Sequence, residues 1–355
     1  MIRNLQVLRG IAALMVVVFH VTCGAARLGE GVHLSCFSLG FVGVDLFFVL
    51  SGFIIGVTTR TPEAGRPLPF FQRRALRVAP PYWLLTALVA NAAVLMPGLS
   101  GATVFVPWHT FASFIFWPTS HPVIGLYNPL LLVGWTLNYE MAFYALFALA
   151  LFLPARWQVP AAALALILIA LAGRVFQPGG AAGFYTDPVI VEFALGLAIG
   201  GLHGTGLRLP RAACLALVAA GILLMLGAVQ ANRLPTAGLP AALIVLGAVF
   251  DERAGGPWRL PAIGRLGDAS YSIYLVHLPI APVTQILWRQ VGFSAAGAMG
   301  LAYSAGAVLV CLAAGLAFHH VVEAPLDRLL RPTGLRPSGL RHTIAAPPVA
   351  AHPTM

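Results

Sequence analysis

An arginine and a histidine lie eleven positions apart in the first apolar stretch, residues 5–21, LQVLRGIAALMVVVFHV. As an α-helix, at ~100° and ~1.5 Å per residue, this stretch brings Arg9 and His20 onto one stripe about 16 Å apart. Ionisable groups are costly in hydrocarbon and normally face a bundle interior, so the pair marks a site or a pathway. A guanidinium grips phosphate and an imidazole moves a proton. Together they outline a mechanism.

Other residues could join them. Asp45 is the single acid of FVGVDLFFVLSGFII, near its outer end. Beside His20 it would orient the imidazole and stabilise its charged form. Ser51 and Gly52 in the same stretch read as helix packing. In FFQRRALRVAPPYW, a cytoplasmic loop by this reading, Arg73, Arg74 and Arg77 form a dense cluster. It suits bidentate phosphate binding, or is a topology signal; both readings stand. Pro80 and Pro81 are expected to start the next helix. In GWTLNYEMAFY, Glu140 is an acid within a span beside Trp135, Asn138, Tyr139 and Tyr144, the last at i, i+4. In LGDASYSIYLVHLP, Asp268 reads as an N-cap, and Tyr271, Tyr274 and His277 share roughly one side. His277 is either a second active-site residue or a structural bridge between helices. Glu192, near Tyr185 and Asp187, is a weaker signal. The connection 98–128, with Trp108, His109, Trp117, His121 and Tyr127, offers faces for sugar rings or an aromatic belt.

The elements that must position these residues are membrane helices. The chain is 59% apolar and only 9% charged, against about 25% charged in a soluble domain. Apolar runs of spanning length recur from end to end. The expected spans are 5–22, 39–58, 80–97, 129–153, 158–174, 187–203, 212–229, 236–250, 268–288 and 298–321. That is an all-α, polytopic fold of about ten transmembrane helices around a central cavity. Residues 1–331 form the transmembrane domain, and the Pro- and Ala-rich 332–355 a disordered cytoplasmic tail. No cleavable signal peptide is evident. All 21 basic residues are Arg, and the net charge is +10. Ten spans put 17 of them on the side of the N-terminus and four (Arg27, Arg174, Arg233 and Arg289) opposite. The charge thus reads as a topology marker with both termini cytoplasmic, not as a nucleic-acid surface. The four cysteines show no CxxC, so no metal site is expected. Cys23 and Cys36 lie near one outer face, where a disulfide is feasible.

LRGIAALMVVVFH, GVDLFFVLSGFII, FFQRRALRVAPPYW, GWTLNYEMAFY, LGDASYSIYLVHLP and the late Glu323–Pro325 occur in one order over roughly residues 3 to 326. Together they resemble the acyltransferase 3 family of integral membrane O-acyltransferases, and the GWTLNYEMAFY form its exopolysaccharide-acetylating, ExoZ-like branch. The resemblance implies a bacterial inner-membrane enzyme. It would move an acyl group, by default acetyl, from cytoplasmic acyl-CoA to a hydroxyl of an exported or surface polysaccharide. Acetyl-CoA would be a substrate, with no permanently bound cofactor and with polysaccharide assembly machinery as a further partner. The family's essential Arg and His fall on Arg9 and His20, and its loop Arg pair on Arg74 and Arg77.

On these grounds His20, Asp45 and Glu140 are expected to be catalytic. Arg9, Arg73, Arg74 and Arg77 would hold the CoA, and Trp135, Tyr139, Tyr144, Tyr271 and His277 the substrate. The same chemistry on a lipid-linked oligosaccharide, a lipopolysaccharide sugar or a small metabolite is the alternative. A proton-coupled transporter relaying through His20, Asp45, Glu140 and His277 is more distant, because it leaves the Arg cluster unexplained.

Overall fold

A computed structural model describes residues 2–25, 37–59, 66–96, 104–226, 233–292 and 297–330. Among them there is no strand. The helices are α1 (Arg3–Ala25), α2 (Gly43–Thr58), α3 (Pro67–Leu95), α4 (Pro107–Phe114), α5 (Gly134–Ala150), α6 (Ala155–Phe176), α7 (Gly180–Tyr185), α8 (Val191–Gly204), α9 (Arg211–Leu226), α10 (Leu239–Arg253), α11 (Pro261–Asp268), α12 (Ser270–Gln290), α13 (Gly297–Phe318) and α14 (Ala324–Leu330). A π-turn, Leu234–Gly238, leads into α10 and another, His319–Glu323, joins α13 to α14.

α1 is the hub, touching α2, α10, α11, α12 and α13. Its start is tied down by Glu252, whose carboxylate accepts from the backbone N–H groups of Arg3 and Asn4 at 2.8 and 2.7 Å. α2 and α8 approach most closely, through a seam of glycines. A Cβ at Gly52 would collide with the Phe193 carbonyl, and one at Gly196 with that of Val49. Such small-residue seams let membrane helices pack backbone to backbone. The outside is apolar: Leu149, Phe152, Phe176 and Leu223 are each more than two-thirds exposed, as side chains facing lipid must be.

Seven helical segments are long and apolar enough to cross a bilayer, against the ten expected. The shortfall lies in three of the predicted spans. α5 and α9 have 17 and 16 residues, short of the ~20 that a bilayer asks for. α12 has 21 residues but is diluted by Ser270, Tyr271, Ser272, Tyr274, His277 and two prolines.

Two boundaries differ from expectation for identifiable reasons. The Arg-rich stretch expected as a loop is helical, and α3 runs on through Pro80 and Pro81. Each proline removes an N–H but fits helical φ, and packing on both sides holds the helix: Phe70 lies against Phe147, and Tyr82 is fully buried. Asp268 does not cap α12, because Pro261–Asp268 is already a helix and α12 starts at Ser270 after Ala269. The expected tail, 332–355, and Cys36 lie outside the described residues. Cys23 is disulfide-bonded, while Cys214 and Cys311 are free and buried.

Candidate active site

The turn of α1 that follows its anchored start presents Arg9. Its Nε and Nη2 both donate to Ser270 Oγ at the first residue of α12, at 3.1 and 2.9 Å. One guanidinium edge is therefore fixed and the plane is aimed. In α3, Arg74 and Arg77 are one turn apart and fall on the same face. Arg74 Nη2 donates to Thr58 Oγ1 at 3.2 Å, and its guanidinium lies 5.9 Å from the ring centres of Phe70 and Tyr144.

These three arginines open onto a cavity of about 820 Å³, measured out to its mouth. Halfway along, Glu140 accepts hydrogen bonds from Ser51 Oγ, at 3.0 Å, and from the Tyr144 hydroxyl. Tyr271 forms part of the wall and is pinned by donating to the Val78 carbonyl. Phe47, Thr136 and Tyr274 also line the cavity. The Tyr274 hydroxyl bonds Thr136 Oγ1 at 2.9 Å, and its ring meets Phe47 edge-on at 5.9 Å.

Past Tyr274, outside this lining, lies a histidine pair. Tyr274 is one turn before His277, their rings 5.9 Å apart. His277 Nε2 is 3.1 Å from His20 Nδ1. Each ring also contacts the carbonyl four residues earlier in its own helix: His20 Nδ1 that of Val16 at 3.0 Å, His277 Nδ1 that of Ile273 at 3.1 Å. His277 is fully buried, and His20 half-buried.

Of the residues expected to form the site, Arg9, Arg74, Arg77, Glu140, Tyr144 and Tyr271 share the cavity, and His20 and His277 form the pair beyond it. The others lie elsewhere. Asp45 does not touch His20: Arg233 holds it in a forked ion pair at 2.8 and 3.3 Å, with Glu192 4.0 Å away. A buried carboxylate pairs with the nearest guanidinium, and the π-turn at Leu234–Gly238 delivers one. Glu140 does not orient His20 either, because its bonds go to Ser51 and Tyr144. Arg73 turns off the cavity face of α3. Trp135 lies with Phe41 beneath Arg233, whose guanidinium is 5.3 and 4.5 Å from their ring centres. Tyr139 stacks on Phe184 at 4.1 Å.

Ser51, Ser270, Thr136 and Arg233 carried no sequence signal for their roles. Arg233 is 188 residues from Asp45, and Ser270 is 261 from Arg9. Glu323, of the late motif, accepts from Ser272 and pairs with His319 at 2.8 Å.

The family described as acyltransferase domain matches residues 2–319. Over 297 residues the chain is 37% identical to the exopolysaccharide production protein ExoZ of Rhizobium meliloti (strain 1021), covering 82% of this chain and 91% of that protein. It is 29% identical over 320 residues to the provisionally named membrane-bound transacylase BcsY of Komagataeibacter xylinus (84% and 78%). To the acyltransferase MdmB of Streptomyces mycarofaciens it is 28% identical over 331 residues (82% of each). No solved structure matches the chain.

Proposed function

We propose a reaction from one premise: the chain belongs to the acyltransferase family whose domain it matches over residues 2–319. The acyl donor is acyl-CoA, with acetyl as the group transferred, and the acceptor is a hydroxyl of an exported polysaccharide. The observation that carries this reading is the cavity itself, lined by three guanidinium groups, with a histidine pair one helical turn past its lining residue Tyr274. A phosphate-rich head with a long thin arm suits that shape. Arg9, Arg74 and Arg77 would hold the phosphates by charge-assisted bonds. The pantetheine arm would pass Ser51, Glu140 and Tyr144 and push between Phe47 and Tyr274 to bring the thioester to His20. The rise along α1 from Arg9 to His20, about 16 Å, is of the order of that arm.

His20 then acts as general base. It takes the proton of the acceptor hydroxyl as that oxygen bonds to the acyl carbon. The C–S bond breaks, and the imidazolium returns the proton to the departing thiolate, releasing CoA thiol. Glu140 holds Tyr144, on whose ring Arg74 rests, and so supports the donor rather than the base. A dry passage protects the thioester from hydrolysis. The acceptor class rests on the name of the ExoZ relative, a protein of exopolysaccharide production. The membrane is the bacterial inner membrane, with both termini and the three arginines on the cytoplasmic side.

The test pairs purified protein, given labelled acetyl-CoA and surface polysaccharide, with mass spectrometry of polysaccharide from cells with and without the chain. Acetyl esters that depend on the chain are expected, with CoA thiol released alongside. Polysaccharide of unchanged mass, with no CoA released, overturns the reading.

A further inference from the structure

We propose that His277 is a positioning residue that, together with the Val16 carbonyl, fixes which nitrogen of His20 is the base; this rests on the reading of His20 as that base. A carbonyl oxygen only accepts, so the contact from His277 Nδ1 to the Ile273 carbonyl, 3.1 Å, requires the proton on Nδ1. A neutral imidazole with Nδ1–H has its lone pair on Nε2. That lone pair faces His20 Nδ1 at 3.1 Å. The Val16 carbonyl faces the same nitrogen at 3.0 Å. Both neighbours accept, so His20 carries its proton on Nδ1, shared between them, and its lone pair on Nε2.

Among the described residues nothing bonds that Nε2. His277, in contrast, has both nitrogens occupied and is sealed from solvent. It cannot take a substrate proton without giving up a bond in the core. The pair therefore has one free basic atom, His20 Nε2. The arrangement does what the carboxylate does in a Ser-His-Asp triad, holding the tautomer and the ring plane, but with a neutral acceptor. It also gives His277 a task other than contacting substrate. Each ring also contacts the carbonyl four residues back in its own helix, and the bond between the rings ties α12 to α1.

The test has two arms. The first is the ¹⁵N spectrum of histidine-labelled wild-type protein in detergent near pH 8, with His20 assigned from a His20→Ala sample. The proton is expected on His20 Nδ1; a proton on Nε2 overturns the proposal. This arm needs no turnover, so it stands apart from the base reading, which falls if His20→Ala keeps full activity. The second arm compares His277→Leu with His277→Gln, whose carbonyl oxygen reaches near the position of Nε2. His277→Leu is expected to lower kcat about 100-fold, the lower end of a general base's contribution, with the donor KM unchanged. His277→Gln should recover at least about tenfold of that loss. Glutamine no better than leucine, in proteins of equal melting temperature, overturns the proposal, as does a His277→Leu enzyme of undiminished kcat.

Discussion

At the scale of single residues, the three cavity arginines and the Arg233 cluster should fail in different ways. Arg74→Ala or Arg77→Ala would remove one of the proposed charge-assisted phosphate contacts, each worth about 1.5–3 kcal/mol. The donor KM should rise tenfold or more with acceptor affinity unchanged; a wild-type donor KM in folded protein would leave the cluster as a topology signal only. Arg9→Lys keeps the charge but loses the fork that Ser270 aims, so it too should raise the donor KM. The Asp45 cluster should report on stability instead. Arg233→Gln leaves Asp45 and Glu192 buried without their cation, and breaking such a pair costs about 3–5 kcal/mol. Asp45→Asn should cost less, because Glu192, 4.0 Å from the guanidinium, remains to pair with it. Thermal unfolding in detergent checks the order, and an Asp45→Asn protein less stable than Arg233→Gln would contradict it. Arg9 and His20 were legible because one helix fixes their separation, whereas the partner of Asp45 lies 188 residues away in an unrelated loop. Sequence spacing carries no such distance. An acid was expected beside His20, and a histidine from another helix stands there.

At the scale of elements, the outer connection containing α4 shows how a polar loop closes on itself. His121 Nδ1 accepts from the backbone N–H groups of Val123 and Ile124 at 3.2 and 3.3 Å, so its proton is on Nε2. Its ring meets that of His109 edge-on at 5.0 Å, and His109 Nδ1 contacts Thr119 at 2.9 Å. Burial, and then the nearness of His121, lower the His109 pKa to about 4, and burial lowers that of His121. A histidine with a lowered folded pKa takes up protons more readily when unfolded. Its contribution is complete above the ordinary 6.5 and is lost as pH falls toward 4. Protection from hydrogen exchange over residues 117–128, relative to the unstructured rate at each pH, should therefore be high at pH 7 and fall between pH 6.5 and 4, and His121→Ala should be poorly protected at both. Protection independent of pH over that range would show that the two rings do not hold the loop. The loop's aromatic content was legible, but its closure was not, because it depends on a backbone turn that places two N–H groups on one ring nitrogen. The α3 boundary was misjudged for a related reason. Pro80 and Pro81 argue locally for a helix start, and only the contacts of Phe70 and Tyr82 on either side show that the helix continues.

At the scale of the whole molecule, the polytopic all-α class followed from composition, while the number of crossings did not. Length and hydropathy single out seven segments, because length discounts α5 and α9, with 17 and 16 residues, and hydropathy discounts the polar helix α12. The contacts constrain the count further. Arg9, early in α1, bonds Ser270 at the start of α12; Ser272, half a turn on, bonds Glu323 at the end of the chain's described helices. The beginning of α1 and the last π-turn thus lie at one end of the bundle. A chain that starts and finishes at the same end crosses an even number of times. Seven is odd, so with that geometry an odd number of the three remaining helices, α5, α9 and α12, is expected to cross as well; crossing by all three is the prediction that matches the expected division of 17 arginines to four. Reporters fused after residues 154, 206 and 330 should read as cytoplasmic, and those fused after 178 and 292 as periplasmic. A periplasmic reporter at 330 would make the count odd and break the same-end geometry. A cytoplasmic reporter at 292 would mean that α12 does not cross, and would place His277 and Arg289 on the side opposite to the one assigned here.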